Sequence, residues 1–289
     1  MKETLHLLEY LALSFSLKGL RSLKRERAIS IARGLGELLY NYPRVKRVCR
    51  ENLEFTGFPL KVGKESFKNF LVCAVDFLKS PDYSLSYLKS LFYPVDISSL
   101  PAEGGIFLTA HIGNWELMGA LCSKLSGGRL SVVAKPMKNR RVDSLINSIR
   151  SSWGIKVIPT GRGVEVLRDL KRRRFVGILL DQRPKVSEGV LTQFLGRKTY
   201  TNKGVALISL KSGKPVIPAF CFIENGRYKV EIGEPIYPDG SVEELTQKYT
   251  SAIEEAVRKH PEQWFWFHRR WKNSPEFKEW RSERFSKER

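Results

Sequence analysis

The stretch GIFLTAHIGNWELMGAL, residues 105–121, begins as one kind of element and ends as another. Ile106-Phe107-Leu108-Thr109-Ala110 is a short apolar run that suits a buried strand, and a helix is expected to start near Gly113 or Asn114. His111 therefore falls where a strand ends and a helix begins, the place where open α/β sheets hold their ligands. The same helix start puts Glu116 in the first turn, where the helix field favours a carboxylate. Gly113 permits a tight turn, so Glu116 is expected to fold back and hold one imidazole nitrogen of His111. The other nitrogen then faces the cleft as a general base.

The alternation continues downstream. Strands are predicted at Gly105–Ala110, Leu130–Lys135, Ile155–Pro159, Phe175–Leu180, Pro215–Cys221 and Tyr228–Ile232. Between and after them, helices are predicted at Asn114–Leu125, Val142–Trp153, Gly163–Lys171, Asn202–Ser212 and Ser241–Lys259. Strands spaced by helices of that length indicate an α/β fold, with a central, mostly parallel or mixed sheet flanked by helices, over residues 91–272. Upstream, RERAISIARGLGELLYNY and KESFKNFLVCAVDFLKS carry apolar residues on a helical period, so residues 1–90 read as a helical, membrane-proximal region. Residues 273–289 read as a charged tail, frayed or loosely helical.

Composition narrows the classes without choosing one. Hydrophobic residues at 42% exclude wholesale disorder. Fifty Lys and Arg against thirty Asp and Glu give a formal charge of +20, which attracts nucleic acid, an anionic membrane surface or an acidic carrier protein. Cys49, Cys73, Cys122 and Cys221 form no CxxC pair, and the four histidines are scattered, so no zinc spacing is present. Leu5–Leu20 is apolar but short of the ~20 residues that cross a bilayer, and His6, Glu9 and Lys18 interrupt it. It reads either as a helix lying at a membrane interface, with Lys18, Arg21, Lys24, Arg25 and Arg27 near headgroups, or as a core helix.

The chemistry follows from what His111 lacks. No serine or cysteine adjoins it and no GxSxG elbow exists, so the hydroxyl to be deprotonated belongs to a substrate. His111 would activate that alcohol against an acyl group and return the proton to the departing thiolate, with backbone N–H groups of the strand–helix junction stabilising the oxyanion. Lys135, Asn139, Arg140, Arg141 and Arg150 follow a strand and suit a phosphate-binding rim. Asp181, Gln182 and Arg183 follow the most apolar strand, and Asp181 reads as an orienter of an arginine rather than as a catalyst; Glu188 is a weaker candidate in the same loop. In the closing HPEQWFWFHRRWK, Trp264, Trp266, Arg269 and Arg270 suit headgroup depth, whereas Trp264, Trp266 and Phe267 equally suit packing against the core.

These residues carry a resemblance to the bacterial lipid A biosynthesis acyltransferases, within the glycerolipid acyltransferase superfamily. His111-Ile-Gly-Asn-Trp-Glu116 matches the superfamily's histidine followed after four residues by an acid. Asn139 and Arg150, the DQRP block from Asp181, QFLGR, SGKPVIPAF and HPEQWFWFHRRWK follow in the family's order. The resemblance implies transfer of a fatty acyl chain from an acyl carrier protein thioester to the hydroxyl of a phosphorylated glycolipid such as a lipid A precursor, while the residues leave acyl-CoA open as the alternative donor. It also implies a peripheral or shallowly anchored site at the cytoplasmic face of the bacterial inner membrane, with His111 as base and Glu116 as its partner. Arg150 and Asp181 would support substrate binding or site geometry, and no metal or nucleotide cofactor is implied. Where family members begin with a spanning helix, this chain has only the interrupted Leu5–Leu20. A lysophospholipid, a glycosylated phosphoinositide or another glycolipid is an alternative acceptor. A basic nucleic-acid-binding protein is the non-enzyme alternative; KNRR and KRRR would touch phosphates, but no recognition module accompanies them, and no nucleic acid is expected.

Overall fold

The computed structural model describes residues 2–98 and 100–287. Its centre is a six-stranded sheet. In chain order the strands are β1 (Gly105–Thr109), β2 (Leu130–Ala134), β3 (Lys156–Pro159), β4 (Phe175–Leu179), the separate hairpin β5 (Gly189–Phe194) and β6 (Arg197–Asn202), then β7 (Val216–Glu224) and β8 (Arg227–Ile232). The sheet order is β3-β2-β4-β1-β7-β8, parallel throughout except for the antiparallel edge pair β7–β8. All six predicted strands are present, within one residue at their ends except that β7 runs on past Cys221 to Glu224.

β1 and β4 lie inside this order, which explains their unbroken apolar sequence: both faces are covered. The period-2 alternation of a strand then divides the core. Ile106 and Leu108 face one cluster, built with Val176, Val257 and Trp264. Phe107 faces the other, with Leu117, Leu121, Phe175 and Ile217.

The covering helices are α1 (Lys2–Ser22), α2 (Arg25–Leu39), α3 (Pro43–Thr56), α4 (Lys61–Lys79), the short α5 (Leu85–Ser90), α6 (Trp115–Leu125), α7 (Arg140–Ser152), α8 (Gly163–Lys171), α9 (Gly204–Ser212), α10 (Val242–Lys259) and α11 (Pro275–Lys287). Cys49, Leu53, Phe55 and Phe67 of α3 and α4 belong to the same apolar cluster as Ile106 and Leu108, so the helical region shares the sheet's core. α2 lies close on α4 because Gly36 has no Cβ; one added there would stand 2.9 Å from the Lys68 backbone. The end of α1 is held by Lys79, whose ammonium donates to the carbonyls of Leu20 at 2.9 Å and Leu23 at 2.8 Å.

Two parts differ from the sequence reading. Residues 189–202, for which no strands were predicted, form a hairpin whose two-residue turn, Leu195 and Gly196, has φ of 52° and 74°. Both positive values mark a type I′ turn, for which leucine is an unusual occupant and a poor signal. The closing segment is not frayed where it is described. α11 packs Phe277 at 5.0 Å from Phe55, and Glu276 takes a 2.8 Å bond from Arg197.

Among the described residues no helix is long and apolar enough to cross a membrane. Arg25, expected near headgroups, instead turns inward and clamps the fully buried Asp76 through bonds of 2.9 and 2.6 Å. A buried carboxylate needs such a partner, and this one also accepts from the Tyr228 hydroxyl of β8 at 2.5 Å.

Candidate active site

Strand register brings the site together. β1 and β4 are parallel neighbours with Thr109 opposite Leu179, so two residues further along each strand His111 and Asp181 emerge side by side. The Leu180 N–H donates to Thr109 at 3.1 Å and carries the ladder to the very edge of the site. Asp181 then holds the histidine twice. Its Oδ1 lies 2.8 Å from His111 Nδ1, and its Oδ2 accepts the His111 backbone N–H at 3.1 Å. A third donor, Trp264 Nε1, reaches the same Oδ2 at 2.9 Å. The His111 side chain is 22% exposed while that of Asp181 is 2% exposed, so the ring is reachable and its anchor is not.

This corrects the expected pairing. Glu116 does not hold the ring: its carboxylate makes a bidentate pair with Arg150, with Oε1 2.6 Å from Nη2 and Oε2 3.0 Å from Nε. Glu116 thereby ties the start of α6 to α7, and Arg150 also reaches Asn147 at 3.0 Å. Asp181, read as an orienter of an arginine, orients the histidine instead. With Nδ1 donating to the carboxylate, Nε2 is left as the acceptor, and the Gln182 amide stands 3.3 Å from it.

The junction amides are also committed elsewhere. His111 donates to Asp181, Ile112 to Ala110 at 2.8 Å and Gly113 to the Gln263 carbonyl at 3.0 Å. These three N–H groups are therefore not the oxyanion donors that the sequence suggested. Gly113 is required for another reason. Its φ is +52°, and a Cβ there would fall 1.7 Å from the Cys221 carbonyl of β7.

The aromatic segment turns out to be scaffold. Trp264, Trp266 and Trp271 are 1%, 0% and 0% exposed, and Arg270 is 1% exposed, so none of the four touches a membrane. The segment runs beside the His111 loop: Phe265 N–H donates to the His111 carbonyl at 3.0 Å, while the Gln263 side chain exchanges bonds of 2.7 and 2.9 Å with Ile223 of β7. Polar residues of α3 and α4 fasten its other side. Asn52 donates to the carbonyls of Trp266 and His268, both at 2.7 Å, and Asn69 donates to that of Glu262 at 2.9 Å. Arg270 is used internally, donating to Thr201 Oγ1 at 2.6 Å and lying 5.3 Å from the Phe194 ring centre. Sequence reasoning gave neither Trp264 as a ligand of Asp181 nor Trp115 as a wall of the site, its ring 4.9 Å from that of His111.

The remaining predicted residues divide. Asn139 is buried and caps α7, accepting from Arg141 N–H at 3.1 Å and donating to the His6 carbonyl at 2.8 Å. Lys135, Arg140 and Arg141 are exposed around that cap, and Glu188 is exposed on the loop before β5. Arg183 and Arg269 are half-buried, and both line one cleft with His268.

Electrostatics support the dyad. Burial alone would raise the Asp181 carboxyl, but the His111 charge and the bonds from His111 and Trp264 outweigh it and bring it down to about 2. Asp181 is thus an anion across the working range. Burial pushes the His268 imidazole down to about 4, with nearby Arg270, His111 and Arg183 charges adding to it against the pull of Asp181. The folded protein then binds fewer protons than the unfolded chain between pH 6.5 and about 4, so stability falls as pH drops through that window. Replacing His268 with glutamine is expected to flatten that part of a denaturant-derived stability curve, by roughly 2 kcal/mol between its ends. An unchanged slope would remove His268 as its source.

The bacterial lipid A biosynthesis acyltransferase family matches residues 96–273, more than half of the chain, including His111, Asp181 and the aromatic segment beside them. This chain belongs to that family. Two curated relatives, both phosphatidylinositol mannoside acyltransferases from strains of Mycobacterium tuberculosis, are 25% identical to it over 186 residues. That alignment covers 61% of this chain and 57% of the length of the relatives, so the family member described here corresponds to little more than half of each.

Proposed function

We propose that the protein is a membrane-associated O-acyltransferase that moves a fatty acyl chain from a thioester, acyl carrier protein or acyl-CoA, to a hydroxyl of a phosphorylated glycolipid. A lipid A precursor is the first acceptor to test, because the family match points there. A mannosylated phosphoinositide is the second, because of the two curated relatives. The observation that carries the reading is a reachable imidazole whose Nδ1 is fixed by a buried anion at the carboxyl end of the central strands.

The chemistry is direct transfer. A substrate hydroxyl displaces the Gln182 amide at His111 Nε2 and gives up its proton there as its oxygen attacks the thioester carbonyl carbon. The tetrahedral adduct collapses, the C–S bond breaks, and the imidazolium returns its proton to the leaving thiolate. Asp181 steadies the transient imidazolium, as a buried carboxylate does for a base that charges during the reaction. The cysteines are poor alternatives as nucleophiles. Burial pushes Cys49 and Cys122 up to about 12 and raises Cys73 and Cys221 as well, so their thiolates are scarce. Incubating purified protein with acyl carrier and acyl-CoA donors and both acceptors, and identifying products by mass spectrometry, tests the assignment. An ester on a glycolipid hydroxyl supports it; acylation of a simple lysophospholipid alone contradicts it.

Membrane association is supported by one face of α2. Ile31, Leu35, Leu38 and Leu39 recur at helical spacing and are 46–68% exposed, beside a 62% exposed Tyr42. On α1, Leu7 and Leu11 are exposed one turn apart. Apolar residues left in water on a basic protein suit insertion between anionic headgroups. A Leu35→Glu, Leu38→Glu double variant is expected to partition at least tenfold less onto anionic vesicles in a sedimentation assay. Unaltered partitioning would move the contact elsewhere.

A further inference from the structure

Beside the dyad lies a cleft of about 240 Å³ whose lining includes four cations, Arg44, Arg183, Arg269 and Lys272, together with His268 and Phe267. No carboxylate lines it, and among the described residues none of the four cations makes an ion pair. On a protein that pairs so many of its charges, this concentration of one sign is costly, and it is partly desolvated. Arg183 is held below the ordinary arginine range, first by burial and then by the charge of Arg269. Its Nη1 donates to Asn273 at 2.8 Å, which fixes the guanidinium, yet its buried Nε has no partner, and neither does the buried Nδ1 of His268. A buried guanidinium N–H left open beside unpaired cations is the feature of a site built for an oxyanion.

The cleft is joined to the chemistry by three consecutive residues. Asp181 holds His111 Nδ1, Gln182 stands at Nε2, and Arg183 turns into the cleft. A second connection is aromatic: Phe267 of the cleft lies against Phe265, whose ring centre is 5.7 Å from that of His111. A ligand seated among the cations can therefore extend along these rings to the base.

We propose that this cleft is a phosphate-ester site, in which the Arg183 and Arg269 guanidiniums clamp the phosphate while Arg44 and Lys272 supply outer charge. Guanidiniums match phosphate oxygens two at a time, and two of them at one cleft, one held in place by Asn273, select a compact dianion or diester over diffuse negative charge. The phosphate belongs to one of the two reactants, the pantetheine arm of the donor or the headgroup of the acceptor. That identity rests on the acyl-transfer reading, whereas the binding itself does not.

Calorimetric titration of the intact protein separates these cases. The probes are pantetheine 4′-phosphate against pantetheine, and glycerophosphoinositol against inositol. One phosphorylated probe is expected to bind at least tenfold more tightly than its phosphate-free counterpart. Arg269→Gln should remove that preference about tenfold, as should Arg183→Gln provided it folds. Arg172→Gln, an exposed arginine outside the cleft, should change affinity less than twofold, and His111→Ala should bind like the wild type. The pair that shows the preference identifies the reactant. Equal binding with and without phosphate overturns the proposal, as does an Arg172→Gln loss equal to that of Arg269→Gln. Phosphate selectivity without any acyl transfer keeps the cleft and removes the enzyme reading, while transfer without selectivity does the reverse.

Discussion

His111→Ala is expected to lower acyl transfer by about 10³-fold while leaving the fold intact. A positioned general base contributes roughly 10²–10⁴-fold, and among the described residues only the Gln182 amide, which does not titrate, is bonded at Nε2. The fold should survive because the ring is part-exposed and Asp181, although its Oδ1 loses the ring, keeps two donors on Oδ2. Asp181 keeps the bonds from the residue 111 backbone N–H and from Trp264 Nε1. Circular dichroism and a melting curve within a few degrees of the wild type, beside a near-silent product assay, are the expected pair of results. Substantial turnover in a folded His111→Ala protein would remove the base from the mechanism.

Asp181→Asn should be nearly as damaging, for a reason that lies in two neighbouring donors. Oδ2 accepts both the His111 N–H and the Trp264 Nε1–H. An asparagine can meet both only by placing its carbonyl oxygen there, which turns its NH₂ towards His111 Nδ1. Nδ1 must then accept, the ring proton moves to Nε2, and the base is lost by tautomer rather than by absence. A loss of roughly 10³–10⁴-fold in turnover follows, with substrate affinity little changed. Nitrogen-detected NMR of the labelled ring reads the cause directly: Nδ1–H in the wild type and Nε2–H in the variant. A variant that keeps Nδ1–H and its turnover would show that Asp181 does not set the tautomer.

The parallel sheet, its strands and the position of His111 were legible because each depends on local pattern. A continuous apolar run, a glycine and a helix start need only seventeen consecutive residues to be seen. The partner of His111 was not legible, because it lies 70 residues away and arrives through the register of β1 against β4. Glu116 was the nearer carboxylate in sequence, but Arg150, 34 residues further on, claims both of its oxygens. The run from Trp264 to Trp271 failed for a different reason. Aromatic and basic residues suit both a membrane interface and a core lined with backbone acceptors, and only the buried carbonyls and Thr201 around Arg270 decide between them. The hairpin β5–β6 was hidden by Leu195, which occupies a turn position where glycine or asparagine is the usual marker.

The most direct test sets two conservative changes against each other. Turnover is measured for Asp181→Asn and Glu116→Gln, both purified, folded and saturated with the same donor and acceptor. With Asp181 fixing the base and Glu116 bracing α6 against Arg150, Glu116→Gln should be impaired yet retain at least ten times the turnover of Asp181→Asn. The opposite ranking, with Asp181→Asn active and Glu116→Gln silent, would return the imidazole to the glutamate and contradict the account.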